Sequence, residues 1–172
     1  MQINKYLSRP TDPWAWYMAD FSHIDSIVNQ AKQFFESEIM GLFTPSPELY
    51  TYNLRLAISK QQYNPALEQI LVCIDKQANL LLAYAWIGRG HVLPYAPEEC
   101  SEAKVLHIDQ RLSNTQRVRI TIQAISHWLD WTRACGIPII ISSSIRQDQD
   151  TFMRIHEHFG FIRRGSIAYK KL

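Results

Sequence analysis

Apolar and polar positions along this chain switch between a period of two and a helical period, and the switches mark its elements. Residues 14–18, Trp-Ala-Trp-Tyr-Met, read as a strand that follows Pro10 and Pro13. Over residues 22–39 the apolar positions Ile24, Ile27, Val28, Ala31, Phe34 and Phe35 fall at helical spacing, with Ser22 as the expected N-cap and Asp25 three residues on. Phe34 and Phe35 are expected in the core. Pro45 and Pro47 break the chain, and a second helix is expected from there to about Gln61. Two apolar runs, 69–75 and 80–87, flank a short polar link and predict an antiparallel hairpin. Gly88-Arg-Gly90 is expected to end it. Residues 89–102 then form a long link, a candidate substrate-side flap.

The stretch 102–161 organises the rest. It reads as a strand at 103–108, a basic loop at 109–119, a helix to about Ala134, a strand at 137–142, a short helix at 150–159 and a Gly160-Phe161 stop. Two apolar strands joined through a helix predict parallel neighbours with a right-handed crossover. Ser113 or Asn114 is the expected N-cap of the long helix. Val118, Ile122, Ile125 and Leu129, flanked by Trp128 and Trp131, are its expected core stripe, and Gly136 follows its end. His127 beside that stripe reads as a surface or satisfied helical histidine. Pro138 is tolerable only near the start of its strand. Residues 161–171 are expected to close the chain as one or two strands. Neither a repeat nor a second domain is evident, so residues 1–172 read as one domain.

Composition is that of an ordinary globular chain, with 47% hydrophobic and 20% charged residues. Cys73, Cys100 and Cys135 are widely spaced, which indicates neither a zinc site nor a disulfide framework and suits a reducing compartment. The N-terminus lacks a signal-peptide pattern and no apolar run is long enough to span a membrane, so a cytoplasmic location is expected. Charge is uneven. Residues 1–100 carry 7 Lys+Arg against 10 Asp+Glu, a net −3, and residues 101–172 carry 11 against 6, a net +5. The basic half suits an anionic ligand, and the loop that opens the long helix is a natural phosphate site because free N–H groups and the helix dipole point there.

The order strand, helix, helix, three strands, helix, strand, helix, strand resembles the GNAT superfamily of N-acetyltransferases, from about residue 14 to the end. Its members commonly close with Asn-x-x-Ala-x-x-x-Tyr-x-Lys-x-Gly-Phe. Here Gln149, Phe152, His156 and His158 stand at the first four of those positions, and Gly160-Phe161 is identical. The family's acyl-CoA loop, Gln/Arg-x-x-Gly-x-Gly/Ala, corresponds to the stretch from Arg111 to Arg119, which contains no glycine. Glycine serves there because the backbone must approach a pyrophosphate closely.

The resemblance implies an α/β (α+β) fold: a mixed, mostly antiparallel twisted sheet with a splayed parallel central strand pair and helices on both faces. It implies acetyl-CoA as co-substrate, no metal, and acyl transfer to an amine by direct attack. The implied cofactor-binding residues are Leu106, His107, Ile108, Arg111, Thr115, Gln116, Arg117, Val118, Arg119 and Gln149. His156 would be the acid, with Glu102 and His107 as candidate bases. Strand alternation places Ala103, Val105 and His107 on one face, and so His107 and Glu102 on opposite faces. The acceptor would be a small-molecule or protein amine. The glycine-free loop also resembles divergent GNAT-fold proteins of bacteriophages. That likeness implies two alternatives, a catalytically silent binding or structural module with a protein partner or a second copy, and a DNA-modifying enzyme.

Overall fold

The computed structural model describes residues 11–35, 38, 41–144, 149–164 and 170. Five strands form one sheet in the order β1-β2-β3-β4-β5: β1 Trp14–Met18, β2 Glu68–Asp75, β3 Leu81–Val92, β4 Glu99–Ile108 and β5 Ile139–Ser142. The first three pairings are antiparallel and β4–β5 is parallel. Helices α1 Ile24–Lys32 and α2 Pro47–Tyr63 precede β2, α3 Asn114–Ala134 links β4 to β5, and α4 Gln149–His158 follows.

Sheet alternation divides the core between two faces. Tyr84 and Trp86 of β3 point to the α1 and α2 side, where they meet Ile24, Ile27, Leu54 and Ile58. Ala85 and Ile87 point the other way, with Ala103, onto Ile125, Trp128 and Trp131 of α3. Small residues on the strands thus receive the indoles of the helix, which keeps the layers close. Phe152 and Ile155 of α4, with Phe159 just after it, pack on this same side.

Several expectations shift. The first helical segment opens as a short 3-10 turn, Phe21–His23, capped by Asp20 and not by Ser22. The Asp20 carboxylate accepts from Ser22 N–H at 2.9 Å, and Asp20 N–H donates to the His23 ring. Residues 89–102 are not a long link, because β3 runs to Val92 and β4 begins at Glu99. Gly88 and Gly90 lie inside the strand and do not end it. A Cβ at Gly88 would sit 2.8 Å from Lys104 Nζ, and Gly90 adopts φ +98° where the β3–β4 register shifts. On α3, Val118 and Ile122 are exposed, while Ile120, Ala124, Ile125, Trp128 and Trp131 are buried, so the core stripe is rotated from the expected one. The cap of α3 is Ser113, whose Oγ accepts from Gln116 N–H while Gln116 Oε1 accepts from Ser113 N–H. Residues 161–164 form no strand, and most of the expected closing strand region lies outside the described residues.

Candidate functional site

The β4–β5 ladder pairs only residues 100–103 with 139–142. Beyond Ala103 and Ser142 the two strands part, and β4 continues to Ile108 with no partner on its β5-side edge among the described residues. A cavity of about 510 Å³ opens there. Its floor is β4 from Ala103 to Ile108. One wall carries Asn114, Arg117, Val118, Thr121 and Trp128 of α3, another carries Ser142, Ser143, Thr151, Phe152 and Ile155, and Phe34 and Glu38 close the third side.

An extra residue in β4 decides which side chains reach this cavity from each face. Trp86 pairs with Val105 and Ile87 with Ala103, leaving Lys104 as a bulge. Lys104 therefore lies on the same face as Val105, its Nζ 5.3 Å from the Trp86 ring centroid and 2.6 Å from Glu68 Oε1. Strict alternation expects Ala103, Val105 and His107 on one face. The bulge instead leaves Ala103 facing α3 while Val105 and His107 face α1 and α2. Alternation before the bulge puts Glu102 opposite Ala103, hence on the same face as His107, which reverses the expected relation between these two acids and bases. Glu102 is half-buried and does not line the cavity.

His107 does line it and is the centre of a hydrogen-bonded chain. Its Nε2 lies 2.8 Å from Glu38 Oε1, its Nδ1 lies 2.5 Å from the Tyr84 hydroxyl, and that hydroxyl lies 2.9 Å from the hydroxyl of Tyr50. Phe34 stacks on the imidazole, with ring centroids 4.4 Å apart. Gln30 ties α1 to the end of β4 by donating to the carbonyls of Leu82 and His107. Burial, then the neighbouring Tyr50 and Glu38, holds Tyr84 well above the usual phenol range, and burial does the same for Tyr50. Both remain hydroxyl donors at any physiological pH. Glu38, Tyr84 and Tyr50 carry no motif in the sequence. Glu38 lies 69 positions from His107, and only the placing of Glu38 against β4 joins them.

The basic loop is mostly committed elsewhere. Arg111 is clamped onto Asp109, whose carboxyl is thereby held below the usual range. Arg119 is paired to buried Asp12 and lies over the Trp14 ring. Arg117 faces the cavity, with neutral Asn114 Oδ1 as its hydrogen-bond partner. Of the expected cofactor residues, Leu106, His107, Ile108, Arg117 and Val118 line the cavity. Arg111, Thr115, Gln116 and Arg119 do not, and the Gln149 side chain lies outside the described residues. His156 is fully buried between Phe152 and Phe161 and does not line the cavity. Its Nδ1–H donates to Phe152 O at 2.9 Å, and burial lowers its pKa. A neutral imidazole out of reach of the cavity does not suit the acid role that the resemblance implies for it.

The sequence matches no family model and no curated protein. Solved structures do match. A mutant of the BH1408 protein from Bacillus halodurans superposes with a TM-score of 0.69 at 15% identity, over 92% of this chain and 99% of that one. Aminoglycoside N-acetyltransferase AAC(6')-Iy in complex with CoA gives 0.68 at 9% identity, over 96% and 99%. Glucosamine-6-phosphate N-acetyltransferase from Arabidopsis thaliana gives 0.61 at 11% identity, over 92% and 98%. The fold is that of the GNAT acetyltransferases. The mixed sheet, its parallel β4–β5 pair and the helices on both faces are the GNAT architecture expected from the element order.

The CoA held by AAC(6')-Iy is the ligand against which the residues present are compared. Ser142 Oγ and Trp128 Nε1 are buried without a hydrogen-bond partner among the described residues, and both residues line the cavity. Together with the open β4 edge they are polar groups suited to the amides and thioester of a pantetheine arm. At the mouth, the N–H groups of Asn114 and Thr115 precede the first intrahelical bond of α3, and Arg117 stands beside them. The absence of glycine between Arg111 and Arg119 limits how closely the backbone lets a diphosphate approach. Among the described residues, no group of three or more His, Cys, Asp or Glu is arranged to hold a metal, and no helix is long and apolar enough to cross a membrane.

Proposed function

We propose that this protein is an acyl-CoA-dependent N-acyltransferase that moves an acetyl or similar group to a primary amine by direct attack. The observation that carries the reading is the cleft formed where β4 and β5 part, with the Glu38–His107 pair on its wall. Bound acetyl-CoA would supply the acyl group as an activated thioester.

The chain's own residues have distinct tasks in this reading. Arg117 and the first turn of α3 hold the diphosphate at the mouth. The β4 edge around Leu106 to Ile108 aligns the pantetheine arm, and its N–H groups hold the thioester carbonyl oxygen as charge develops on it. The Glu38–His107 pair receives the proton that the attacking amine must lose. The hydroxyls of Ser142, Ser143 and Thr151 on the opposite wall are the groups available to hydrogen-bond a leaving sulfur. The acceptor is a small-molecule or protein amine.

A catalytically silent binding module is favoured by one specific observation. The start of α3 is closed by its own Ser113–Gln116 capping box and carries no glycine. One experiment separates the two readings. The purified protein is incubated with acetyl-CoA and a panel of simple primary amines, and free thiol release is followed with time. Amine-dependent release supports the transferase. No release with acetyl-, malonyl- or succinyl-CoA supports the silent module.

A further inference from the structure

The Glu38–His107–Tyr84–Tyr50 chain has a direction that its chemistry dictates. A carboxylate can only accept, so with Glu38 as carboxylate the proton between Oε1 and His107 sits on Nε2. In the neutral ring Nδ1 then offers only a lone pair and accepts from the Tyr84 hydroxyl. With its hydrogen spent, Tyr84 accepts from Tyr50. Every hydrogen in the chain points towards the Glu38 carboxylate. Both ring nitrogens of His107 are therefore occupied, and the imidazole has no free lone pair for an incoming amine. Glu38 differs. Its Oε1 takes the His107 bond, its carboxylate is partly exposed and lines the cavity, and among the described residues Oε2 is the oxygen open to an acceptor.

We infer that Glu38 is the residue that takes the amine proton, and that His107, Tyr84 and Tyr50 are positioning residues that fix its geometry by holding His107 as the Nε2–H tautomer. The inference rests on the acyl-transfer reading and deepens it, moving the base from the histidine to the carboxylate. In the step, the amine N–H bond breaks as the new C–N bond forms. The proton passes to Glu38 Oε2, directly or through one water, and Oε1 keeps its bond from His107. The titratable groups that face the imidazole are Glu38 from the segment after α1, Tyr84 from β3 and Tyr50 from α2. Lys104 on the same face of β4 is neutralised by Glu68, and Asp109, next along the chain, is held by Arg111.

The test has two arms. In the first, the full chain is labelled with 15N-histidine and the ring nitrogens are read by NMR, with no substrate present. Wild type is expected to show His107 protonated at Nε2. Tyr84→Phe is expected to change the Nδ1 shift by removing its donor, and thermal unfolding checks that the variant is folded. A His107 protonated at Nδ1 in the wild type overturns the inference whatever the activity. In the second arm, thiol release from acetyl-CoA is measured with ethylamine, tyramine and spermidine as acceptors. Glu38→Gln is expected to lower kcat about 100-fold or more with little change in the KM for acetyl-CoA, and to remove the acid limb of the pH–rate profile. Glu38→Asp is expected to restore part of that limb, and Tyr84→Phe to lower kcat about tenfold and shift it. Full activity and an unchanged profile in Glu38→Gln would overturn the inference while leaving acyl transfer intact. An inert wild type with the Nε2–H tautomer in place would overturn acyl transfer, and the role of Glu38 with it.

Discussion

Arg119 on α3 donates to Asp12 ahead of β1, a carboxylate whose side chain is completely buried. Asp12 also accepts from Gln123 Nε2 at 3.0 Å, and Gln123 Oε1 in turn accepts from the indoles of Trp14 and Trp16 at 2.9 Å each. One arginine of the basic loop thus holds the first strand of the sheet to the long helix. Arg119→Ala removes the guanidinium from a buried carboxylate. Because Arg119 is itself about two-fifths exposed, the expected loss is about 2 kcal/mol, below the 3–5 kcal/mol of a fully buried pair. Arg117→Ala is expected to change stability by about 0.5 kcal/mol or less. Urea unfolding of the two variants distinguishes the structural arginine from the one that faces the cavity.

A second prediction concerns acid. Burial holds His127 down to about 4 and lowers His156 as well. In the unfolded chain each titrates near the ordinary value of about 6.5. Below that pH the unfolded state binds protons that the folded state refuses, so stability is complete above about 6.5 and falls as pH falls. Between pH 6.5 and 5, His127 accounts for a loss of about 2 kcal/mol, and His156 adds in the same direction. His127→Gln should flatten that part of the stability profile. An unchanged slope in this variant would show that His127 charges freely in the folded protein.

The bulge at Lys104 yields a third. Glu68 is buried and accepts from Trp86 Nε1 at 2.5 Å and from Lys104 Nζ at 2.6 Å, and Gly88 leaves room for the pair. Lys104→Ala removes the only cation among these partners and should cost about 2 kcal/mol. Gly88→Ala forces the lysine end aside and should cost about 1 kcal/mol. Both are checked by thermal unfolding, and a neutral Lys104→Ala would show that the Lys104–Glu68 pair adds nothing net to stability.

Much of the architecture was legible because its signals are local. The bounds of β1, a cap at Ser113 or Asn114, the Gly136 stop and the parallel pair around α3 follow from runs and punctuation a few residues long. Glycine misled where its role was close approach. Gly88 and Gly90 read as a strand end, whereas one makes room for Lys104 and the other takes a positive φ within the strand. The bulge was invisible because an inserted residue in an apolar run changes no pattern, yet it reverses which face Ala103 and Glu102 occupy. The site divided in the same way. His107, Arg117 and Val118 sit on elements that the pattern marks. Glu38, Tyr84 and Tyr50 come from three distant elements and become a site only through packing.

The measurement closest to the central claim is thermal unfolding of the full chain with and without acetyl-CoA at about millimolar concentration, in wild type and in Arg117→Ala. A ligand at about 100 times its dissociation constant adds about 2.7 kcal/mol. For a domain of this size that raises the midpoint by roughly 5–10 °C. The account predicts such a rise in wild type and a smaller one in Arg117→Ala. An unchanged midpoint with acetyl-, malonyl- and succinyl-CoA would contradict it and leave the cleft as the binding face of a silent GNAT-fold module.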